Sequence, residues 1–527
     1  MIDQTRCIGC HACTTACKSE NDVALGVFRT WVKNVDVGTF PAVRRHFAVL
    51  RCNHCEDAPC VEICPVTAMY QRPDGVVDFD EDRCIGCKAC MQACPYDAIY
   101  MDPDSHTAAK CNFCSHRVDE GLLPACVVVC PVEALLFGDM DDDSSRVAQA
   151  LATHTPTVRR PEQRTNPKTF YLGAHEAALD PLAARHGPMY MWADRVGEWE
   201  SGRVGKWESG KVGKWEGSSV GANAAGAASR SPTLPVSHSP TLPPARVAYD
   251  IPRQRTWGWK VSSYIWTKSL AAGLALVPAV TIMAGGDASA PLFARMAPAL
   301  ALCFLALTGA LLVADLKRPE RFWMILVRPQ WRSWLARGAF VITAYGGALA
   351  LWAPASWVGS DTLLRILAWP VAVLALLTAV YTAFLFGQCE GRDLWQSPIL
   401  FLHLGVHAPV AALAALFVVA PAVGAGGDIE PFSRWLITGL ITAAVLAVLD
   451  AQGSHPTANA AAAARALFRG PQAAMFWLAQ VGGAMLPATL LATGDQALFP
   501  LAGALALAGL WLYGHALVLA GQGPPIS

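Results

Sequence analysis

The chain has 527 residues, which is more than one compact domain usually contains. Its formal net charge is zero, so no excess of basic residues supports binding to nucleic acid. Apolar residues make up 53% of the chain and charged residues 16%, but they are unevenly distributed. A polar, cysteine-rich first part precedes long apolar runs from about Trp257 onward, and such runs are typical of a membrane protein.

Sixteen of the eighteen cysteines form four groups of four, all before residue 131. The spacing C-x2-C-x2-C-x3-C, with insertions in the second and fourth groups and proline directly after the last three, is typical of [4Fe–4S] clusters. The groups are Cys7, Cys10, Cys13, Cys17; Cys52, Cys55, Cys60, Cys64; Cys84, Cys87, Cys90, Cys94; and Cys111, Cys114, Cys126, Cys130. Sixteen thiolates are enough for four clusters, which would conduct electrons in series.

Two other roles for these cysteines fit less well. Disulfides form in oxidising compartments, and nothing resembling a secretory signal precedes Cys7. Zinc sites usually consist of two close pairs with a longer spacer between them. We therefore expect each group to wrap a cluster and run into a short helix, in a domain spanning 1–195. The remaining cysteines, Cys303 and Cys389, are predicted to be packing residues.

Residues 196–249 contain two unrelated octapeptide repeats. One begins at Val196 and recurs from Val204 and Val212, and the other begins at Ser231 and recurs from Ser239. A period of eight is too short for a solenoid unit, and the Gly, Ser and Pro content predicts a disordered linker. The alternative is a docking motif built on the repeated tryptophans, Trp199, Trp207 and Trp215.

The last part of the chain, 250–527, is predicted to be an all-α bundle of eight membrane-spanning helices. Each apolar segment has about the 17–25 residues that a span requires. The approximate spans are 261–284, 297–315, 338–358, 366–387, 399–422, 435–451, 473–493 and 498–520.

Basic residues in the loops indicate the orientation of these spans. Twelve lie on the side of the N-terminal domain and three on the other, which predicts a cytoplasmic cluster domain on the cell's inner membrane. Half of the twelve lie in the single loop 316–337, where they could serve docking instead. Export beside a partner that carries a signal also remains open.

The cysteine groups resemble those of the four-cluster ferredoxin subunits of complex iron–sulfur molybdoenzymes, the DmsB/PsrB/NrfC-like proteins. The resemblance implies an α+β fold of tandem two-cluster ferredoxin-like units, in which group one shares clusters with group four and group two with group three. The implied ligand sets are Cys7, Cys10, Cys13, Cys130; Cys17, Cys111, Cys114, Cys126; Cys52, Cys55, Cys60, Cys94; and Cys64, Cys84, Cys87, Cys90.

The second half resembles the NrfD/PsrC family of membrane anchors. The matching residues are 257–260, 315–322, 391–398, His403, 476–477 and Pro487. Members exchange electrons with a membrane quinone, menaquinone or ubiquinone, and as a rule carry no haem. In most relatives the ferredoxin-like protein and the anchor are separate chains, whereas here they are fused.

Placing an ionisable residue inside a membrane span costs free energy, so such residues are candidates for a quinone and proton site. We assign this role to Lys268, Asp315, His403 and Arg318. The alternatives are snorkelling for Lys268, an ion pair with Arg318 or Arg321 for Asp315, and a structural hydrogen bond for His403. His407 is predicted to be structural, and the tryptophans near the span ends, such as Trp257, are predicted to form an aromatic belt.

Together these features predict the electron-transfer and anchor part of a respiratory oxidoreductase. Since the length of the chain is taken up by clusters, linker and helices, the catalytic subunit, expected to carry molybdopterin, must be a separate protein. Two alternatives stay open: service to a hydrogenase, and redox-driven proton translocation. A haem-bearing anchor using His403, His407 or His515 is a further competing hypothesis.

Overall fold

The computed structural model describes residues 1–186, 243–287 and 290–527. Eight helices in these ranges are long and apolar enough to cross a membrane, which confirms the predicted number. We label them TM1 to TM8: Trp259–Met283, Leu292–Asp315, Trp334–Val358, Asp361–Gly387, Ile399–Val419, Glu430–Gln452, Ala473–Ala492 and Gln496–Gly521. Shorter helices join them at Met324–Val327, Gly426–Ile429 and Ala458–Arg469.

TM1 and TM5 form the centre of the membrane bundle. They are the most buried spans, and TM1 packs against TM2, TM4, TM5 and TM8. TM3 and TM6 lie at the periphery, where Trp357 and Trp435 are among the exposed apolar side chains. An apolar outer face is what lipid requires, whereas a soluble domain would bury it.

The N-terminal part consists of short strands and short helices. The strands are β1 (Ile2–Asp3), β2 (Thr30–Val37), β3 (Arg44–Arg51), β4 (Met69–Gln71), β5 (Val77–Phe79), β6 (Ile99–Met101), β7 (Ala108–Lys110), β8 (Tyr171–Leu172) and β9 (Ala245–Tyr249). They form one three-stranded sheet in the order β3-β2-β9, the hairpins β4-β5 and β6-β7, and the parallel pair β1-β8.

Each cysteine group leads into a short helix, as predicted. The helices are α1 (Ala12–Glu20), α2 (Pro59–Ile63), α3 (Ala89–Ala93), α4 (Ser115–Val118), α5 (Ala125–Val128), α6 (Arg146–Thr153) and α7 (Glu176–Leu179). Cys13 and Cys17 lie in α1, Cys60 in α2, Cys90 in α3 and Cys126 in α5. The helices are too short for an independent apolar core, so the cysteines themselves occupy the interior.

The end of the predicted linker needs correction. Residues 245–249 form β9, which pairs with β2 and buries Ala245 and Val247. Their alternation of buried and exposed positions is the pattern of a strand, and the pairing covers the free edge of β2. The octapeptide repeats and the tryptophans Trp199, Trp207 and Trp215 lie outside the described residues.

The two halves of the chain share one apolar core. A single buried cluster includes Cys64 and Cys90 of the N-terminal part together with Phe386 and Trp395 of the membrane part and Tyr513 of TM8. The cysteine-rich domain is therefore packed directly onto one end of the helical bundle.

Candidate redox site

Two of the four expected cysteine sets each line a cavity in the structure. Cys7, Cys10, Cys13 and Cys130 line a cavity of about 330 Å³. Cys64, Cys84, Cys87 and Cys90 line another of about 360 Å³. In both cavities, cysteines that are distant in sequence meet, because the fourth cysteine of one group turns toward a different group.

The cysteines of the other two expected sets interact electrostatically with one another. Cys17 lies within electrostatic range of Cys111, Cys114 and Cys126. Cys60 lies within range of Cys52, Cys55 and Cys94. The two cavities have the members of two of the ligand sets that the family resemblance implies, and the membership of the other two sets stays a prediction.

Most of these cysteines are buried, and burial governs how easily their thiols ionise. Burial, followed by the neighbouring Cys52 thiol, raises the pKa of Cys94 to about 11, so four adjacent thiols are not all ionised without a metal to compensate their charge.

Several donors point at the sulfur atoms. The backbone amides of Ala68 and Met69 donate to Cys64 Sγ over 3.2 and 3.4 Å. The buried guanidinium of Arg51 donates from Nη1 to Cys126 Sγ over 3.4 Å. Hydrogen bonds of this kind favour the thiolate form and set the reduction potential of a bound cluster.

The four sets adjoin one another in series. Cys13 of the first lies within electrostatic range of Cys126 of the second. Cys111 of the second neighbours Cys52 of the third. Cys90 of the fourth neighbours Cys60 of the third. One end of this series is open to solvent at Cys10, and the other end lies on the membrane bundle.

Backbone contacts fix the fourth set to the membrane domain. Gly86, between Cys84 and Cys87, has φ +68°, and a Cβ there would lie 2.5 Å from Lys317 Cβ. The amides of Lys317 and Arg318 donate to the carbonyls of Gly86 and Ile85 over 3.2 Å. Since no side chain fits at Gly86, the loop after TM2 approaches the cysteine loop closely.

The residues proposed for quinone and proton chemistry fall into three places. Lys268 is fully buried in TM1 and donates to Ala379 O over 2.8 Å and to Thr382 Oγ1 over 2.7 Å. Arg318 is at the domain interface, where its Nε donates to Ser105 O over 2.8 Å. The Arg318 contact therefore holds the loop 316–337 against the cysteine-rich domain.

Asp315 forms an ion pair, but its partner differs from the two that the sequence suggested. Its Oδ2 lies 2.8 Å from Lys88 Nζ, whereas Arg318 pairs with Glu320. Burial lowers the pKa of Lys88, and the charge of Asp315 opposes that effect. No sequence pattern pointed to this partner because Lys88 and Asp315 belong to different domains.

His403 lines a cavity of about 520 Å³ within the membrane bundle, between TM1, TM5 and TM8. Its Nδ1 is 3.4 Å from the hydroxyl of Tyr513, whose ring stacks on it. Its Nε2 has no hydrogen-bond partner among the described residues. His407, predicted to be structural, lines the same cavity, and its ring meets that of His403 at 4.3 Å.

One tryptophan assigned to the aromatic belt is instead an interior residue. Trp257 is 5% exposed, stacks on Phe386 and Trp395, and donates from Nε1 to the carbonyl of Cys87 over 3.4 Å. Trp259 and Trp331 are exposed, as a belt requires. Sequence analysis also missed Lys88, Phe386 and Tyr513, which carry no motif of their own.

Comparisons with known proteins agree with this architecture. Residues 43–140 match the 4Fe-4S dicluster domain, and residues 250–524 match the family described as polysulphide reductase, NrfD.

The N-terminal part is similar to curated proteins of bacterial reductases. It is 44% identical to a subunit of the tetrathionate reductase of Salmonella typhimurium over 198 residues, which is 37% of this chain and 79% of that protein. It is 43% identical to a component of the polysulfide reductase of Wolinella succinogenes over 174 residues, or 32% of this chain and 91% of that protein. Because the second family match covers more than half of the chain, this protein belongs to the polysulphide reductase NrfD family and carries an iron–sulfur subunit of the PsrB/NrfC/DmsB type fused to its membrane anchor.

Proposed function

We propose that the chain passes electrons between the membrane quinone pool and a separate catalytic subunit through four [4Fe–4S] clusters. The observation that supports this most directly is the series of four cysteine sets, exposed at one end and packed on the membrane bundle at the other. A series of clusters that carries electrons between a soluble catalytic subunit and a lipid-soluble quinone must reach the solvent at one end and the membrane domain at the other.

Each cysteine set would hold one cluster. The ligand sets are those implied by the family resemblance, arranged as two tandem two-cluster ferredoxin-like units within residues 1–195. The membrane domain would occupy 250–527, after the linker. The crossing of the fourth cysteine to another cluster is the arrangement of two-cluster ferredoxins.

The catalytic partner is expected to dock where the first set approaches the surface. Cys10 is exposed, and apolar side chains beside the set, Ile8 and Val128, are 56% and 62% exposed. Exposed apolar side chains of this kind favour a protein interface. The relatives are named as components of tetrathionate and polysulfide reductases. We propose a molybdopterin-containing subunit on this face.

At the membrane end, menaquinone or ubiquinone would be the exchangeable substrate, without haem. Asp315, Lys268, His403 and Arg318 remain our proposed quinone and proton residues, with Arg318 acting through its contact with the cluster domain. Electrons could run in either direction. We place the cluster domain on the cytoplasmic face of the inner membrane because basic loops lie on that side.

The test is to purify the chain from its native membrane with its partners and to assay iron, molybdenum or tungsten, nickel and haem together. About sixteen iron atoms per chain with molybdenum or tungsten and no haem support the proposal. Nickel would assign the chain to a hydrogenase instead. Haem, detected by the pyridine haemochrome spectrum, would overturn the account of the membrane half, and about twelve iron atoms or fewer would overturn the cluster number.

A further inference from the structure

We propose that the loop between TM2 and TM3, residues 316–337, binds the headgroup of an anionic phospholipid on the outside of the helical bundle. The loop contains six basic residues and one acidic residue, Glu320. The basic residues separate into two sets, one turned toward the cysteine-rich domain and one toward the membrane surface. The second set is the proposed lipid site, and it depends neither on the identity of the quinone nor on that of the catalytic partner.

The first set of basic residues already has partners in the cysteine-rich domain. Arg318 Nε donates to Ser105 O over 2.8 Å, and Arg321 Nη1 donates to Glu81 O over 2.6 Å. Arg318 Nη1 also lies 3.3 Å from the carboxylate of Glu320. Because these guanidinium groups hold the loop against the neighbouring domain, they are not available to a lipid.

The second set consists of Arg328, Arg332 and Arg337. All three are exposed, and none of them forms an ion pair within the described part of the chain. Arg337 Nε donates to Trp331 O, and its guanidinium lies 4.9 Å from the centre of the Trp334 ring. These contacts orient Arg337 without compensating its charge. The three guanidinium groups therefore retain both charge and donors for an external anion.

Exposed apolar side chains lie beside these arginines. The short helix Met324–Val327 and its neighbours expose Phe322, Trp323, Val327 and Trp331, and Val327 is 65% exposed. The segment joins the ends of two membrane spans, so it lies at the level of the lipid headgroups. Apolar side chains at this level enter the boundary between headgroups and acyl chains. A water-soluble anion would leave this apolar surface uncovered, whereas a phospholipid would cover it.

An anionic phospholipid suits both parts of this surface. Its phosphate accepts hydrogen bonds from guanidinium groups, whose planar donors match phosphate geometry. A basic residue near an anionic lipid surface strengthens binding roughly fivefold. Phosphatidylcholine carries its own cation and so lacks the net charge that three uncompensated arginines require. The expected ligand is therefore a lipid with a net negative headgroup, such as phosphatidylglycerol.

The proposed site adjoins the membrane-side cysteine set. The amide of Gln330 donates to Pro65 O over 2.9 Å, and Ser333 Oγ donates to Ile63 O over 2.7 Å. Pro65 directly follows Cys64, and both line the cavity of that set. Gln330 and Ser333 lie between the first and the last of the three arginines in sequence. A lipid held by these arginines would therefore restrain the segment that contacts the cysteine set.

Native mass spectrometry of the full chain with its clusters, released from detergent micelles, tests this by counting bound lipids. Dioleoylphosphatidylglycerol would be compared with dioleoylphosphatidylcholine, which has the same acyl chains, and with inorganic phosphate as a competitor. The test variant is Arg328→Gln with Arg332→Gln. The matched control is Arg465→Gln with Arg469→Gln, between TM6 and TM7, because it removes the same charge from exposed positions at the same end of the bundle.

We expect the unmodified chain to retain phosphatidylglycerol in preference to phosphatidylcholine. High salt should weaken that preference because it screens exposed charges. The test variant should lose affinity for phosphatidylglycerol about tenfold or more, whereas the control variant keeps it and both retain their iron. Arg328→Lys with Arg332→Lys, which preserves the charge, should keep most of the affinity.

Three outcomes would overturn the inference. Equal losses in the test and control variants would show a general attraction of lipid to basic residues, without a site in this loop. Equal retention of the two lipids would show that the headgroup charge is not recognised. Displacement of phosphatidylglycerol by inorganic phosphate would assign the arginines to a free anion. The lipid preference and its salt dependence are measured on the unmodified chain, so they decide the question even if a double substitution impairs folding.

Discussion

Lys88 and Asp315 form an ion pair, 2.8 Å long, between the loop of the third cysteine group and the end of TM2. Both side chains are largely buried, at 6% and 16% exposure. Lys88 also lines the cavity of Cys64, Cys84, Cys87 and Cys90. A single cation therefore contacts the membrane helix on one side and the membrane-side cluster site on the other.

Because of this placement, substitutions of Lys88 and Asp315 should shift the midpoint potential of the same cluster in opposite directions. Lys88→Met removes a positive charge and should lower the midpoint potential of the membrane-side cluster, and Asp315→Asn should raise it. A unit charge about 8 Å away contributes on the order of 2 kcal/mol at an effective dielectric constant of 20, or roughly 90 mV for one electron. Redox titration followed by EPR measures both shifts. Arg146→Met, which breaks an exposed surface pair, is the control; equal shifts in all three variants would contradict the prediction.

The cysteine sets predict which double substitutions are redundant. Cys64 and Cys84 line one cavity, whereas Cys60 belongs with Cys52, Cys55 and Cys94. Cys64→Ser with Cys84→Ser should therefore lose about four iron atoms, no more than either change alone, whereas Cys60→Ser with Cys64→Ser should lose about eight. Iron analysis and EPR spin counts measure this. Cys389→Ser, a buried thiol that bonds Leu385 O, should lose none.

The sequence was most informative where the spacing of residues determines their chemistry. The sixteen cysteines and the eight apolar runs are local patterns, and two of the cysteine sets that the family resemblance implied each line one cavity. The partner of Asp315 and the interior position of Trp257 arise from contacts between domains, and Trp257 lies 170 residues from the cysteine whose carbonyl it bonds. No local pattern encodes such contacts, and β9 was missed because its five residues adjoin a repeat of linker composition.

Close packing at the domain interface predicts the effect of substituting Gly391. A Cβ at Gly391 would lie 2.5 Å from the carbonyl oxygen of Cys94 and 2.7 Å from that of Gln92. Gly391→Val should push the TM4–TM5 loop off the cysteine domain, at a cost of about 1–3 kcal/mol in stability. Iron content should be retained while cluster reduction by quinol slows. Gly387→Val, where a Cβ meets no atom within 4 Å, is the control; the same slowing there would assign the effect to TM4 itself.

Glu390 in the same loop predicts that the stability of the folded protein depends on pH. Burial, followed by the charges of Glu62 and Asp57, raises its pKa to about 7 from the usual 4.5. The folded protein therefore holds this proton more tightly than the unfolded chain does. The resulting stability is fully present below about pH 4.5, is lost progressively as the pH rises to 7, and changes no further above that.

Glu390→Gln removes this titration. The melting temperature of the variant should match that of the unmodified chain near pH 4.5, exceed it increasingly up to pH 7 and then keep a constant margin. Differential scanning calorimetry in detergent measures the two curves. Glu120→Gln, at an exposed position, should show no such divergence. A margin that is already complete at pH 4.5 would show that Glu390 acts by packing and not by charge.

Lys268 distinguishes simple electron transfer from redox-driven proton translocation. Its amino group is buried inside TM1, and no carboxylate in the described part of the chain is within ion-pair distance of it. A buried ionisable group of this kind costs free energy and is a candidate for a role in moving protons. If the chain translocates protons, Lys268→Met should abolish acidification or alkalinisation of proteoliposomes while quinol oxidation continues. Lys268→Arg, which keeps the charge, should retain part of the coupling. Proton movement that is unchanged per electron in Lys268→Met would exclude this residue from translocation and leave it a structural donor to TM4.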